Sequence, residues 1–382
     1  MPRPPRRFAR AVAIGAVTSL AVAGSGAFWA WDALGDVRRI DLADSLDDIA
    51  NRGPENYLVV GSDSRAGADP NSPDYGSMGD EGDVGGKRSD TIMILRLDPG
   101  AGTATLLSLP RDLYVTIAGS KTKRRINSAY SKGPDTLIAT VKENFAIPIN
   151  HYIEIDFQGF KSMVDALGGV GVWFDTPVRD KNTGLVISQP GCATLNGVQA
   201  LAYARSRHLQ WNDGKKWRTD GTGDLGRISR QQDFIRRAMK RAVEQVSGNP
   251  LGVAPMVDAA TGNVTVDNNL SNGDLLSLAR RFASIGASGL TTYTFPASPK
   301  TVSGAAVLIP DTAAAAPILS LFTSSSTALG TAVPATAAPA AGPGKAFPIP
   351  AQDDPAPDDN SDLVPVTGSD PIGVVGDPSK PC

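Results

Sequence analysis

Four short segments place arginine and aspartate where they could act together. Gly61-Ser62-Asp63-Ser64-Arg65 follows a short apolar run, and Arg88-Ser89-Asp90-Thr91 precedes another. Ser108-Leu109-Pro110-Arg111-Asp112 closes a third. The stretch from Leu195 to Gln232 contains Tyr203-Ala204-Arg205-Ser206-Arg207 and Asp224-Leu225-Gly226-Arg227-Ile228-Ser229-Arg230-Gln231-Gln232. Arginine offers a planar fork that holds phosphate oxygens two at a time, and it keeps its charge when desolvated. Two aspartates on neighbouring strand ends suit one Mg²⁺, which takes one or two carboxylates and fills its shell with water and substrate phosphate. Arg227 and Gln231 lie four apart at the start of a helix predicted over 228–246, so they share a face. A helix start adds its own attraction for anions.

Each segment also has an ordinary reading. Gly61 to Arg65 could be a capped turn, Arg88 to Asp90 a surface ion pair, and Pro110 to Asp112 a turn with a salt bridge. Arg236, Arg237, Lys240 and Arg241 read as a solvated helix face, and His151 and His208 as structural residues. Lys215, Lys216 and Arg218 sit in a polar loop.

The elements that must position these groups are legible. Tyr57–Val60, Thr91–Leu97 and Thr103–Leu109 read as strands, the last two joined by the turn Asp98-Pro99-Gly100-Ala101-Gly102. Ile153 and Ile155 alternate with Glu154 and Asp156. Helical patterns cover 135–145, 157–167, 195–205 and 228–246, the last with Ile228, Ile235, Ala238, Met239, Ala242 and Val246 at core spacing. Strands alternating with helices imply an α/β layered domain whose sheet is not strictly parallel. In such folds ligands collect at strand ends.

Composition bounds the chemistry. Two cysteines and two histidines in 382 residues leave almost nothing for a zinc site of the usual type. The net charge of −2 argues against bulk binding of polyanions, but charge is segregated. Eleven Lys/Arg stand against four Asp between Ala200 and Arg241, whereas from Thr323 onward seven Asp stand against two Lys. Cys192 and Cys382 either stay free or pair across a long loop.

Residues 1–10 are basic, and an uncharged run over 11–31 is long enough for a hydrocarbon core of about 30 Å. We read it as a transmembrane anchor, with a cleaved signal peptide ending near Ala21-Val22-Ala23 as the alternative. Residues 32–55 read as a stalk and 56–322 as an extracellular domain. The Pro/Ala/Asp-rich tail, 323–382, cannot bury enough apolar surface to fold and reads as disordered.

Taken in order, these segments resemble the LytR-CpsA-Psr family of cell-wall glycopolymer ligases. Arg125-Ile126-Asn127-Ser128-Ala129-Tyr130, Ile155-Asp156-Phe157 and Leu167-Gly168-Gly169-Val170 add to the match, which runs from Asn56 to Gln245 in its motifs. The resemblance implies an α/β/α sandwich around a mixed central sheet. It implies a membrane enzyme whose catalytic domain lies outside the cell and takes a polyprenyl-pyrophosphate-linked glycopolymer. Asp63 and Asp90 would hold Mg²⁺ (or Mn²⁺). Arg111, Arg205, Arg207 and Arg227 would be catalytic, and Arg65, Arg88, Arg125 and Gln231 would line the pyrophosphate. A hydroxyl of peptidoglycan or a wall glycan would attack phosphorus, releasing polyprenyl phosphate and leaving a phosphodiester. Such transfer is chiefly positioning and charge neutralisation. Asp90, Asp112 and Asp224 stand as candidate general bases. A polyprenyl-pyrophosphate hydrolase is the main alternative. A non-enzymatic envelope regulator, or a nucleic-acid binder, is disfavoured by the export signal and by arginines paired with aspartates instead of lysine runs.

Overall fold

The computed structural model describes residues 37–48, 53–63, 89–248, 259, 263–323, 373–377, 380 and 382. Seven strands form the central sheet: β1 (Arg38–Ile40), β2 (Glu55–Ser62), β3 (Ser89–Asp98), β4 (Thr103–Leu109), β5 (His151–Ile155), β6 (Val264–Asp267) and β7 (Leu290–Thr294). Their spatial order is β1-β6-β5-β2-β3-β4-β7. The pairs β1/β6, β5/β2 and β4/β7 are parallel and the remaining three antiparallel, so the sheet is mixed.

Alternation along the strands fills a core on each face. One face carries Leu58, Val60, Ile92, Ile94, Leu107 and Leu109. It is covered by α1 (Pro134–Phe145) and α6 (Thr312–Thr323) through Leu137, Ile138, Val141, Phe145, Ala315, Ile318 and Phe322. The other face carries Tyr57, Met93, Leu95 and Leu106, under Met239 of α4 (Gly223–Gly248) and Leu278 and Phe282 of α5 (Asn272–Ile285). A third cluster joins α2 (Phe157–Ala166), α3 (Gly197–Arg205) and the α4 residue Phe234 to a strand pair at Val170–Phe174 and Gly191–Leu195. The α/β layering with helices on both faces matches expectation.

Several boundaries differ. Residues read as a stalk supply β1, because Arg38 to Ile40 pair with Thr265 to Asp267 at the sheet edge. The helix predicted from Leu195 begins at Gly197: Leu195 ends a strand, and Asn196 with Gln199 closes a capping box. The helix predicted from Ile228 begins at Gly223. The basic run on α4 is not simply solvated either. Arg236 reaches Thr292 and Arg241 donates to the Leu167 carbonyl at 3.2 Å, tying the helix to its neighbours, while Arg237 pairs within the helix with Asp233 at 2.8 Å.

The tail corrects a second expectation. Gly373 to Asp377 dock on the domain instead of remaining disordered, and Cys192 and Cys382 form a disulfide. The Val374 amide donates to Asp220 Oδ2 at 3.0 Å, Arg230 donates to the Val374 carbonyl at 2.9 Å, and the Gly376 amide donates to the Tyr203 hydroxyl at 3.0 Å. Hydrogen bonds to main-chain groups of Val374 and Gly376, and a covalent tie spanning 190 residues, give this end of the tail a place that composition does not suggest. In the loop-entropy picture a bridge of this span stabilises by about 2–5 kcal/mol. Cys192→Ser is therefore expected to lower the thermal midpoint by several degrees. Reductant should do the same to the wild type, and a midpoint unmoved by both changes would show that the tie contributes nothing.

Residues 11–31 lie outside the described residues. Among the described residues, no helix is long and apolar enough to cross a membrane.

β5 and β6 are locked by one buried pair. Asp267 faces the His151 ring at 3.2 Å and accepts from the Tyr152 and Asn269 amides at 2.9 Å each. Burial opposes the Asp267 charge, but these partners outweigh it and hold the carboxyl below its ordinary range. A depressed carboxyl contributes stability above its unfolded value of about 3.9 and loses it as pH falls through the lower folded value. Asp267→Asn is expected to cost about 1–3 kcal/mol in urea unfolding at neutral pH. The cost should shrink on acidification, and a cost independent of pH would contradict this account.

Candidate functional site

The sequence motifs meet at one end of the sheet. β2 and β5 run parallel and end there at Ser62 and Ile155. β3 and β6 run the opposite way and start there, and β4 ends there at Leu109. Asp63, Asp90 and Arg111 therefore lie on or just beyond three adjacent central strands. The first half of α4 closes over the same end. Gln231 donates from Nε2 to Thr91 Oγ1 at 2.9 Å and to the Ala204 carbonyl at 3.0 Å. Gln232 donates to Ser108 Oγ at 2.9 Å and the Tyr293 carbonyl at 3.0 Å.

Around this end runs a chain of alternating charges. Arg125 Nε lies 3.4 Å from Asp112 Oδ1, and Asp112 Oδ2 lies 3.7 Å from Arg111 Nε. Arg111 Nε is 3.5 Å from Asp224 Oδ1, which Arg227 Nη2 meets at 2.7 Å. Three guanidinium groups thus face two carboxylates, leaving a positive excess. Exposure grades along the chain: the side chain of Arg227 is 2% exposed, Arg111 17% and Arg125 40%. Arg125 also donates from Nε and Nη2 to the Ala306 carbonyl at 3.1 and 2.6 Å, so part of its fork braces the fold. Burial pushes the Asp112 carboxyl up, and Asp224 adds to this, while Arg111, Arg125 and Arg227 pull it back without cancelling the rise. A carboxyl held above its usual range suits a group that takes up a proton.

The other expected residues fall as follows. Arg205 ends α3 with its guanidinium 4.5 Å from the Phe157 ring centroid. Arg207 lies just beyond, half-buried. Both N–H groups of Gln231 are committed to Thr91 and Ala204, so in this arrangement it holds β3, α3 and α4 together. Arg65 and Arg88 lie outside the described residues, and for Asp90 only the backbone is described. Among the described residues, no three His, Cys, Asp or Glu gather to hold a metal. A two-carboxylate site remains compatible with the strand register. Gly61 pairs with Thr91 and Ser62 with Ser89, so Asp90 is the extra residue at the register shift, beside the end of β2 that leads into Asp63.

The sequence did not single out two further groupings. Arg230, fully buried, pairs with Asp220 at 2.8 Å and donates to the Ser206 carbonyl at 2.7 Å, fixing the turn that carries Arg205 and Arg207. Tyr130 and Tyr152 donate to the two oxygens of Glu154 at 2.7 and 2.8 Å. Burial, then Glu154 and Asp63, raise the Tyr130 hydroxyl, and its hydrogen bond with Ser62 pulls it down. Tyr130 thus stands between the end of β2 and Glu154. In the sequence, Tyr130 closed the Arg125–Tyr130 motif and Glu154 alternated with Ile153 and Ile155, but nothing joined the two.

Fold and site together define an α/β/α-layered domain that gathers arginines and aspartates at one sheet end, an arrangement suited to phosphate esters. A model described as the LytR_cpsA_psr family matches residues 32–321, and the chain belongs to that family. It is 36% identical over 262 residues to the probable cell wall biosynthesis protein LcpB of Corynebacterium glutamicum, covering 68% of this chain and 58% of that protein. It is 31% identical over 250 residues to the polyisoprenyl-teichoic acid–peptidoglycan teichoic acid transferase TagV of Bacillus subtilis, covering 64% of this chain and 57% of that protein. The matched region thus spans less than three fifths of either relative. The solved LytR-Csp2A-Psr enzyme from Actinomyces oris superposes with a TM-score of 0.59 at 27% identity, covering 75% of this chain and 95% of that one.

Proposed function

We propose that this chain is a phosphotransferase that moves a glycopolymer from a polyprenyl-pyrophosphate carrier onto peptidoglycan or a wall glycan. The observation that carries the reading is the Arg125–Asp112–Arg111–Asp224–Arg227 chain at the sheet end that also holds Asp63 and Asp90. Its positive excess suits a pyrophosphate, and its partial burial strengthens each charge interaction. The family membership and the name of TagV support the same reaction class.

Arg111 and Arg227, with Arg65, Arg88, Arg125, Arg205 and Arg207 around them, hold the phosphate oxygens, and Gln231 keeps their elements in register. Asp112 takes the proton of the attacking sugar hydroxyl. The new O–P bond forms at the phosphorus next to the glycopolymer, the bridging P–O bond breaks, and polyprenyl phosphate leaves. Asp63 and Asp90 would hold Mg²⁺, which when bound would neutralise charge on the pyrophosphate. Residues 11–31 would anchor the enzyme with its domain outside the cell.

Mass spectrometry of lipid carried by the purified full chain tests the substrate class. A polyprenyl phosphate or pyrophosphate is the expected species. A wild-type protein that retains no such lipid after incubation with the donor would contradict the reading.

A further inference from the structure

A cavity of about 460 Å³ opens at the same sheet end, on the far side of β2 from the arginines. It is lined by residues that include Arg38, Tyr130, Lys132, Glu154, Asp156 and Thr265. The mechanism above uses none of them. We propose that this cavity is a saccharide subsite that receives the acceptor glycan, a proposal that rests on the phosphotransferase reading.

Position is the first argument. The sheet order places β4, with Arg111 beyond its end, two strands from β2 on one side. Part of the cavity wall comes from β5, β6 and β1, which lie one to three strands from β2 on the other side, and the rest from Tyr130 to Pro134 at the start of α1. With about 4.8 Å between strands, the cavity and the arginines flank the Asp63 end of β2 at similar reach.

Chemistry is the second. The two cations, Arg38 and Lys132, face two carboxylates, Glu154 and Asp156, with Arg38 and Asp156 4.0 Å apart. Charge is balanced, so nothing favours a polyanion here, in contrast to the arginine cluster. Donors and acceptors are mixed and closely spaced, as hydroxyl-rich ligands require. The volume lies within the range of about 300–1,000 Å³ common for small-ligand sites. Tyr130 supplies continuity. Its hydroxyl donates to Glu154 in the cavity wall, and it also hydrogen-bonds Ser62 beside Asp63. A sugar seated against Tyr130 therefore has a hydroxyl within reach of the reacting centre.

Lys132 is exposed on the loop before α1 and Arg38 is 51% exposed, so truncating either leaves the core intact. The test uses the full chain with a polyprenyl-pyrophosphate glycopolymer donor and soluble peptidoglycan glycan strands as acceptor. Lys132→Ala and Arg38→Ala are each expected to raise the acceptor KM about tenfold, the loss of one charged hydrogen bond, while the donor KM stays within about twofold. A rise in the donor KM alone would assign the cavity to the donor, and no change in either would leave it without a ligand role; both overturn the proposal. Calorimetric titration of glycan strands into the wild type and Lys132→Ala, without donor, reads binding apart from turnover. Weaker binding by the variant supports the subsite even if no transfer is seen, in which case the phosphotransferase reading fails by itself. Equal binding by both proteins overturns the subsite.

Discussion

Arg111→Ala is expected to lower kcat/KM for glycopolymer transfer about a hundred- to a thousandfold, with the domain still folded. Arg111 is the central member of the charge chain, standing between Asp112 and Asp224, and it remains partly open to ligand at 17% exposure. Removing one preorganised donor to a developing charge costs about 2.7–4 kcal/mol in comparable sites. Arg111→Lys should recover only part of the loss, because a point charge does not reproduce the fork. Burial already raises the Asp112 carboxyl, and Arg111 is the largest group pulling it down. The alanine variant should therefore shift the acid limb of its pH–rate profile to higher pH. A variant with wild-type kcat/KM would remove Arg111 from the site.

Asp112→Asn is the second large effect. If Asp112 accepts the proton of the attacking hydroxyl, the amide cannot, and kcat should fall by about 10²–10⁴. The wild type should lose activity as pH falls through a value above the ordinary aspartate range, since only the ionised carboxyl works as a base and its titration is raised. The variant should lack that limb. Asp224 is the control. It is more buried and lies 2.7 Å from Arg227, so it serves as a fixed counter-charge. Retention of the acid limb in Asp112→Asn would move the base elsewhere.

How far the sequence carried depends on what held each element in place. The strand Thr103–Leu109 was read with the bounds it has, because its alternation and the following Pro110 are local signals. The start of α4 was missed by five residues for a physical reason. The missed residues, Gly223 to Arg227, include two glycines and the buried polar Asp224 and Arg227, so only Leu225 marks the core there. Arg227 pairs with Asp224 within the helix, but burial of Arg230, Gln231 and Gln232 further along depends on Asp220, Thr91 and Ser108, which lie outside it. The tail escaped for a similar reason. Gly373 to Asp377 dock chiefly through main-chain groups, which carry no residue-type signature, and Cys382 finds its partner 190 residues away. Among the site residues, the ordered motifs located Asp63, Arg111, Arg125 and Arg227 at one sheet end. They did not show that Arg125 is shared with the Ala306 carbonyl, or that Gln231 spends its amide on Thr91 and Ala204.

The central claim is transfer between a lipid-linked donor and a wall acceptor. It is tested most directly by incubating the full chain with polyprenyl-pyrophosphate glycopolymer, with and without peptidoglycan, and quantifying both products. The account predicts polyprenyl monophosphate and phosphodiester-linked glycopolymer in equal amounts, formed only when the acceptor is present. Lipid phosphate released equally with and without peptidoglycan, and no conjugate, would contradict it and mark the protein as a hydrolase.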